Sequence, residues 1–187
     1  MAPERNAVTS DPIHGLADIL AVQGVEPELE LLAFGPAPAP AQVVEALGLS
    51  SADALLLRRR YHVAGQPAAL TEVFYPPSVG SAFTRVEAEA HSSVMLLTRF
   101  AGLRLVKSDI TVRVQVASAD LAEMLQVPAG TALMVIRRIT YTETGKPCEY
   151  NTLFARAGVA EFAVTASGTD AQMDGFRPLP SGTIADS

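Results

Sequence analysis

The chain has no tryptophan, a single cysteine (Cys148) and three scattered histidines (His14, His62, His91) in 187 residues. One thiol excludes an internal disulfide framework and any cysteine cage for a metal, and isolated histidines make metal ligation a weak idea. A Gly-rich phosphate loop, a His-Glu-x-x-His pair and a nucleophile elbow are all missing, so no cofactor is expected. Aromatic residues reach only 6%. Basic residues are outnumbered, 14 against 20 acidic ones, for a formal net charge of −6. That balance argues against direct nucleic-acid binding, which needs a concentrated basic face. The one basic cluster, Arg58 to Arg60, sits inside an apolar strand pattern and is no solvated tail. No apolar run approaches the roughly 18 residues of a membrane span. The N-terminus lacks the apolar core of a signal peptide, and the expected compartment is the cytoplasm.

What is present is an apolar fraction of 49%, ample for a core, and a stretch that occurs twice. The first copy contains Ala41, Glu45, Leu47, Ala54, Arg59 and Arg60, and the second Ala119, Glu123, Leu125, Ala132, Arg137 and Arg138. The offset is 78 at both ends, since 119 − 41 and 138 − 60 agree, and it becomes 80 at Gly65/Gly145. Each copy reads as a short amphipathic helix, a turn, an apolar strand, a glycine-bearing hairpin and a return strand. Two copies are too few for a solenoid. They predict one domain with pseudo-two-fold symmetry and a ligand site where the halves meet.

Residues 1–11 lack periodicity and are expected to be a tail or residual linker. The domain itself is expected over 12–164, with a disordered tail over 165–187, where Ser, Thr, Gly and Asp accumulate. Within the domain, His14 to Gln23 fits a short helix and Glu28 to Phe34 alternates as a strand, with Gly35 to Pro40 as a stiff connector. Ser78 to Ala90 suggests only a short helix and a loop. Ser92 to Phe100 fits a helix with serine at its N-cap and Gly102 as its stop. Ile110, Val112, Val114 and Val116 alternate with polar residues, as in an antiparallel sheet with one face covered. The fold class is therefore α+β: an antiparallel sheet of about six strands with helices packed on one side.

Charge stands where the pattern expects core. Arg59 lies on an apolar strand and Glu149 just after the Gly145-Lys-Pro147 turn of the other half. Brought into one pocket, the guanidinium would take a phosphate or carboxylate in a two-pronged contact, and the carboxylate would accept from hydroxyls or an amine. The alternative is that both only tie strands together. Ser93 is a further donor or merely a helix cap. Tyr61 and Thr71 are, by pattern alone, ordinary strand residues; His62 is expected to be exposed and Cys148 to be a small buried hydrophobe.

The second copy, Leu125 to Arg138 with Gly145-Lys-Pro-Cys-Glu149-Tyr150 and Phe154-Ala-Arg156, resembles the UTRA domain. That domain is the effector-binding half of GntR-family transcription regulators of the HutC type. Arg58-Arg-Arg-Tyr61 with Gly65-Gln-Pro67 matches its first half, and Ser92-Ser93-Val-Met95 the start of its middle helix. The resemblance implies a chorismate-lyase-like fold, a homodimer, and a small-molecule effector that is an anionic metabolite, carboxylate or phosphate. It places ligand contacts on Arg59, Tyr61, Thr71, Ser93, Met95, Glu149 and Arg156. Tyr61 and Thr71 replace the family's arginine and acidic residue, and Ala155 its tyrosine, which implies a less polar pocket than one for a phosphosugar. The family's winged helix-turn-helix is absent from this chain, so DNA would be reached only through such a head. A non-enzymatic sensor is thus the leading expectation. A chorismate-lyase-like enzyme, a stand-alone ligand-binding relative and a pure dimerisation module are the alternatives.

Overall fold

The computed structural model describes residues 28–157 and Val159. The helix expected over His14 to Gln23 and the two expected tails lie outside the described residues. Six strands form one sheet: β1 (Glu28–Pro38), β2 (Asp53–Val63), β3 (Gln66–Tyr75), β4 (Leu105–Val116), β5 (Ala132–Thr142) and β6 (Pro147–Arg156). Every pairing is antiparallel and the order is β1-β2-β3-β6-β5-β4. The order is a palindrome of the two repeats. A pseudo-two-fold axis between β3 and β6 exchanges β1 with β4, β2 with β5 and β3 with β6, as the duplicated sequence predicts.

Glycine and proline place the turns. Gly65 and Gly145, at φ of 71° and 76°, turn the two hairpins through the left-handed region that a side chain disfavours. Gly35 to Pro38 belongs to β1 and is no separate connector, with Pro36 and Pro38 opposite Leu55 and Asp53. Proline is tolerated there because β1 is an edge strand, where a missing N–H breaks no ladder.

The repeat helices α1 (Ala41–Leu47) and α5 (Ala119–Leu125) lie on one face of the sheet. Val43 and Leu47 pack with Ala54, Phe74 and Tyr150, while Ala122 and Leu125 pack with Leu70, Leu133, Val135 and Phe154. Each helix thus reaches across the axis, α1 onto β6 and α5 onto β3, which locks the halves together. The expected Ser118 N-cap of α5 is present, accepting from the Leu121 N–H at 3.3 Å.

Successive strand residues point to opposite faces, so Leu57, Arg59, Val73 and Tyr75 project away from α1 and α5. Residues 77–100 close over part of that second face. They form α2 (Pro77–Gly80), α3 (Arg85–Ala90), and α4 (Ser93–Met95), which runs into a π-helical turn over Leu96–Phe100. Thr84 and Glu87 form a capping box on α3. Phe83, Ala88, Leu96 and Leu97 meet Leu57, Val73, Tyr75 and Cys148 in a closed apolar cluster. Gly102, at φ 64°, ends the segment as the sequence anticipates. The β4 end of the second face stands open: Val114 is 71% and Val116 67% exposed. Among the described residues no helix is long and apolar enough to cross a membrane, and no group of His, Cys, Asp and Glu could hold a metal.

Candidate functional site

Seven polar or charged side chains are buried among the described residues, and five of them, Arg59, Thr71, Arg138, Thr140 and Glu149, project from strand positions on the face that residues 77–100 cover. Glu149 is 0% exposed and pairs with Arg138 at 2.9 Å. Its Oε2 accepts from Arg138 Nε at 3.2 Å, Arg138 Nη2 at 2.9 Å and the Thr140 hydroxyl at 2.9 Å. Its Oε1, equally buried, has no partner. Arg138 Nη2 also donates to the Ser93 hydroxyl at 3.1 Å, which fastens α4 to the sheet. The antiparallel register explains the cluster: Thr140 lies opposite Glu149, and Arg138 is two residues along β5 on the same face.

Arg59 differs in kind. It is 1% exposed and lies opposite Thr71. Its Nη2 donates to the Ala88 carbonyl of α3, and its Nε has no partner. The acids near it in sequence are spent elsewhere: Glu72 pairs with Arg58 at 2.5 Å and Glu30 with Arg60 at 2.7 Å, both on the opposite face. Arg59 is therefore a buried cation without a carboxylate partner among the described residues. A buried unpaired charge costs several kcal/mol, and an anion placed beside it would remove that cost.

Tyr75 completes the arrangement. Its hydroxyl is buried and without a partner. Burial, and then the negative charge of Glu149, push its ionisation well above the usual value. Cys148 behaves likewise: burial first, and Glu149 second, push its thiol up to about 12 from 9.0. An acid with a raised folded value stabilises the fold fully below its unfolded value and loses that contribution as the pH rises. Stability should therefore erode between pH 9 and about 12, and Cys148→Ala should flatten the fall when the denaturation midpoint is followed against pH. At neutral pH iodoacetamide should modify Cys148 only as fast as the protein opens, because the thiolate is the nucleophile; rapid alkylation of the folded protein would contradict this environment.

Of the residues expected at the site, the structure brings together Arg59, Thr71, Ser93 and Glu149. Ser93 is a bound side chain and not a cap, since Ser92 is the cap and accepts from the Met95 N–H at 3.3 Å. Met95 is 39% exposed, outside the buried set. Tyr61 is buried further along the same face, packed with Ala69, Leu153 and Ala155. Arg156 lies opposite Leu133, on the α5 side, and donates to the Pro67 carbonyl at 2.8 Å, tying β6 to the β2–β3 hairpin. Sequence reasoning missed Arg138, Thr140 and Tyr75. For Arg138 a signal existed: counting back from the Gly145 turn puts it beside Glu149.

The pattern of known proteins agrees with this architecture. The UTRA domain family matches residues 22–158. An HTH-type transcriptional regulator of Mycobacterium tuberculosis is 30% identical over 160 residues, which are 84% of this chain and 59% of that protein. A putative transcriptional regulator from Streptomyces coelicolor superimposes with a TM-score of 0.67 at 27% identity, over 74% of this chain and 91% of that one. PhnF from Mycobacterium smegmatis shares the fold with a TM-score of 0.70 at 18% identity, over 84% of this chain and 70% of that one. The chain spans 59% of the length of the curated regulator it matches. With the family match covering most of its length and the same six-stranded fold, the chain belongs to the UTRA domain family of GntR-type transcription regulators.

Proposed function

We propose that this chain is the metabolite-sensing and dimerising part of a cytoplasmic transcription regulator of the HutC type, binding a small anionic effector beneath residues 77–100. One observation carries the reading: Arg59 is buried without a carboxylate partner among the described residues. A protein that only needed to hold strands together would gain nothing from a lone interior guanidinium. Glu149 favours binding over turnover, because its charge is already paired with Arg138 and one of its oxygens is held by Arg138 and Thr140. DNA would be reached through a winged helix-turn-helix, which the acidic balance of this chain does not replace. The uncovered apolar stripe of β4 is where we place the second copy.

The test is a thermal-shift and calorimetric screen of small carboxylates and phosphates against the native chain and Arg59→Met. A ligand that binds only the native state must raise its melting temperature. Losing a charge-assisted contact should weaken the winning anion about tenfold to a hundredfold. The ligand-free variant should lose little stability, because removal of the buried charge offsets the lost hydrogen bond to the Ala88 carbonyl. Unchanged affinity in folded Arg59→Met would rule out the anion-gripping role.

A further inference from the structure

The Tyr75 hydroxyl is fully buried and unpartnered, although buried phenol groups nearly always find a partner. Its place on the sheet suggests what the partner is. The β3–β6 ladder ends at Phe74 opposite Tyr150, so the next step of that register sets Tyr75 beside Glu149 on the neighbouring strand. Glu149 has three donors on Oε2 and none on Oε1. Tyr75 also packs in the cluster that contains Ala88, whose carbonyl receives Arg59. One sheet face beneath α3 and α4 thus holds three unpartnered buried atoms: Tyr75 Oη, Glu149 Oε1 and Arg59 Nε.

We propose that Tyr75 is a specificity-determining contact that acts with Glu149 to recognise a hydroxyl group, and that the effector is a small hydroxylated monocarboxylate. The inference rests on the effector-binding reading above. A hydroxyl closes both open valences at once, donating its proton to Glu149 Oε1 and accepting the Tyr75 proton. A hydrogen or methyl at that place leaves both atoms unpaired. An ammonium can donate to both but cannot use the Tyr75 proton. Charge points the same way. The buried charged residues among those described are Arg59, Arg138 and Glu149, which sum to +1. A monoanion brings that sum to zero. A zwitterionic amino acid leaves it at +1, and a dianionic phosphate ester or dicarboxylate overshoots to −1. Neutrality matters here because an uncompensated charge is costly where water is excluded.

The test uses the full chain and matched sets of three- to six-carbon acids: the 2- or 3-hydroxy acid, the unsubstituted acid, the amino acid, and inorganic phosphate as a bare anion. In the native protein the hydroxy acid should bind about tenfold to a hundredfold more tightly than its unsubstituted counterpart, by calorimetry. Tyr75→Phe should abolish most of that preference and leave the affinity for the unsubstituted acid unchanged. It should not lower the melting temperature of the ligand-free protein, because the hydroxyl it removes has no partner. A Tyr75→Phe variant that loses stability and all affinities together would mark a structural residue and overturn the inference. Equal binding within each set, or a preference that survives Tyr75→Phe, would overturn it while leaving Arg59-dependent anion binding in place. No response to any anion, phosphate included, would overturn both readings.

Discussion

Replacing Val112 and Val114 together by lysine should turn a dimer into a folded monomer. In solution the native chain should scatter light with about twice the 19.7 kDa of one copy, and the double variant with one. The reason is the missing cover on β4. Ile110, Val112, Val114 and Val116 alternate as in a buried strand, yet all four are exposed in the single chain. They continue across the sheet into Ile136 and Met134, which lie opposite Val112 and Val114. Such a stripe on an edge strand invites association with a second copy, and two-fold pairing is the commonest way to close it. Burying two valines contributes about 1.5–3 kcal/mol each, so their loss alone should weaken the dimer by at least about a hundredfold. Two lysines facing their counterparts add repulsion. The fold itself should be unharmed, since neither valine supports the core of one copy. A native chain that remains monomeric at high concentration would sink the proposal.

The sheet was legible because its signals are long. β2, β4 and β5 run for 11, 12 and 11 residues, enough for alternation to show, and the duplicated hairpins fixed the symmetry. Residues 77–90 were less so, because helices of 4 and 6 residues are too short for a helical period to repeat, whereas the Ser92 cap and the Gly102 stop marked the helical turns between them. The site suffered from a subtler failure. Sequence identity pairs Arg59 with Arg137, but burial pairs it with Arg138, a separation of 138 − 59 = 79. One extra residue between helix and strand in the second half shifts the register, and a one-residue slip moves every side chain to the other face. Neighbouring arginines hide such a slip, because Arg58 to Arg60 and Arg137-Arg138 align equally well either way. Only the hairpin register settles which arginine faces inward. Once it does, an asymmetry of the two halves appears. The position in β3 corresponding to Glu149, offset by the 80 of the two hairpin loops, is Ala69. Arg138 therefore has a carboxylate, and Arg59 has none among the described residues. The duplicated scaffold supplies two buried arginines, and only Arg138 is paired with a carboxylate among the described residues.

The Arg138–Glu149 pair should be the most sensitive point of the fold. Glu149→Leu would strip Arg138 of its carboxylate in a site closed to water and leave the Thr140 hydroxyl without its acceptor. Breaking one side of a buried ion pair costs about 3–5 kcal/mol, a large share of the 5–15 kcal/mol that holds a domain folded. Because Arg138 also holds Ser93, the loss should reach α4, and amide exchange across residues 93–100 should accelerate more than across α1. Arg138→Met alone should be comparably harmful, since it leaves the carboxylate as the uncompensated partner. Combining the two as Arg138→Met with Glu149→Leu replaces both charges by apolar groups of similar volume, an exchange that is often neutral or stabilising. Chemical denaturation of the four proteins closes a double-mutant cycle whose coupling should be strongly favourable. The double variant should recover most of the native midpoint while binding no hydroxylated acid with preference, because Glu149 Oε1 has gone. Stability and recognition then separate in one pair of residues. Additive losses in the cycle would show that the pair is not coupled and that Arg138 finds its support elsewhere.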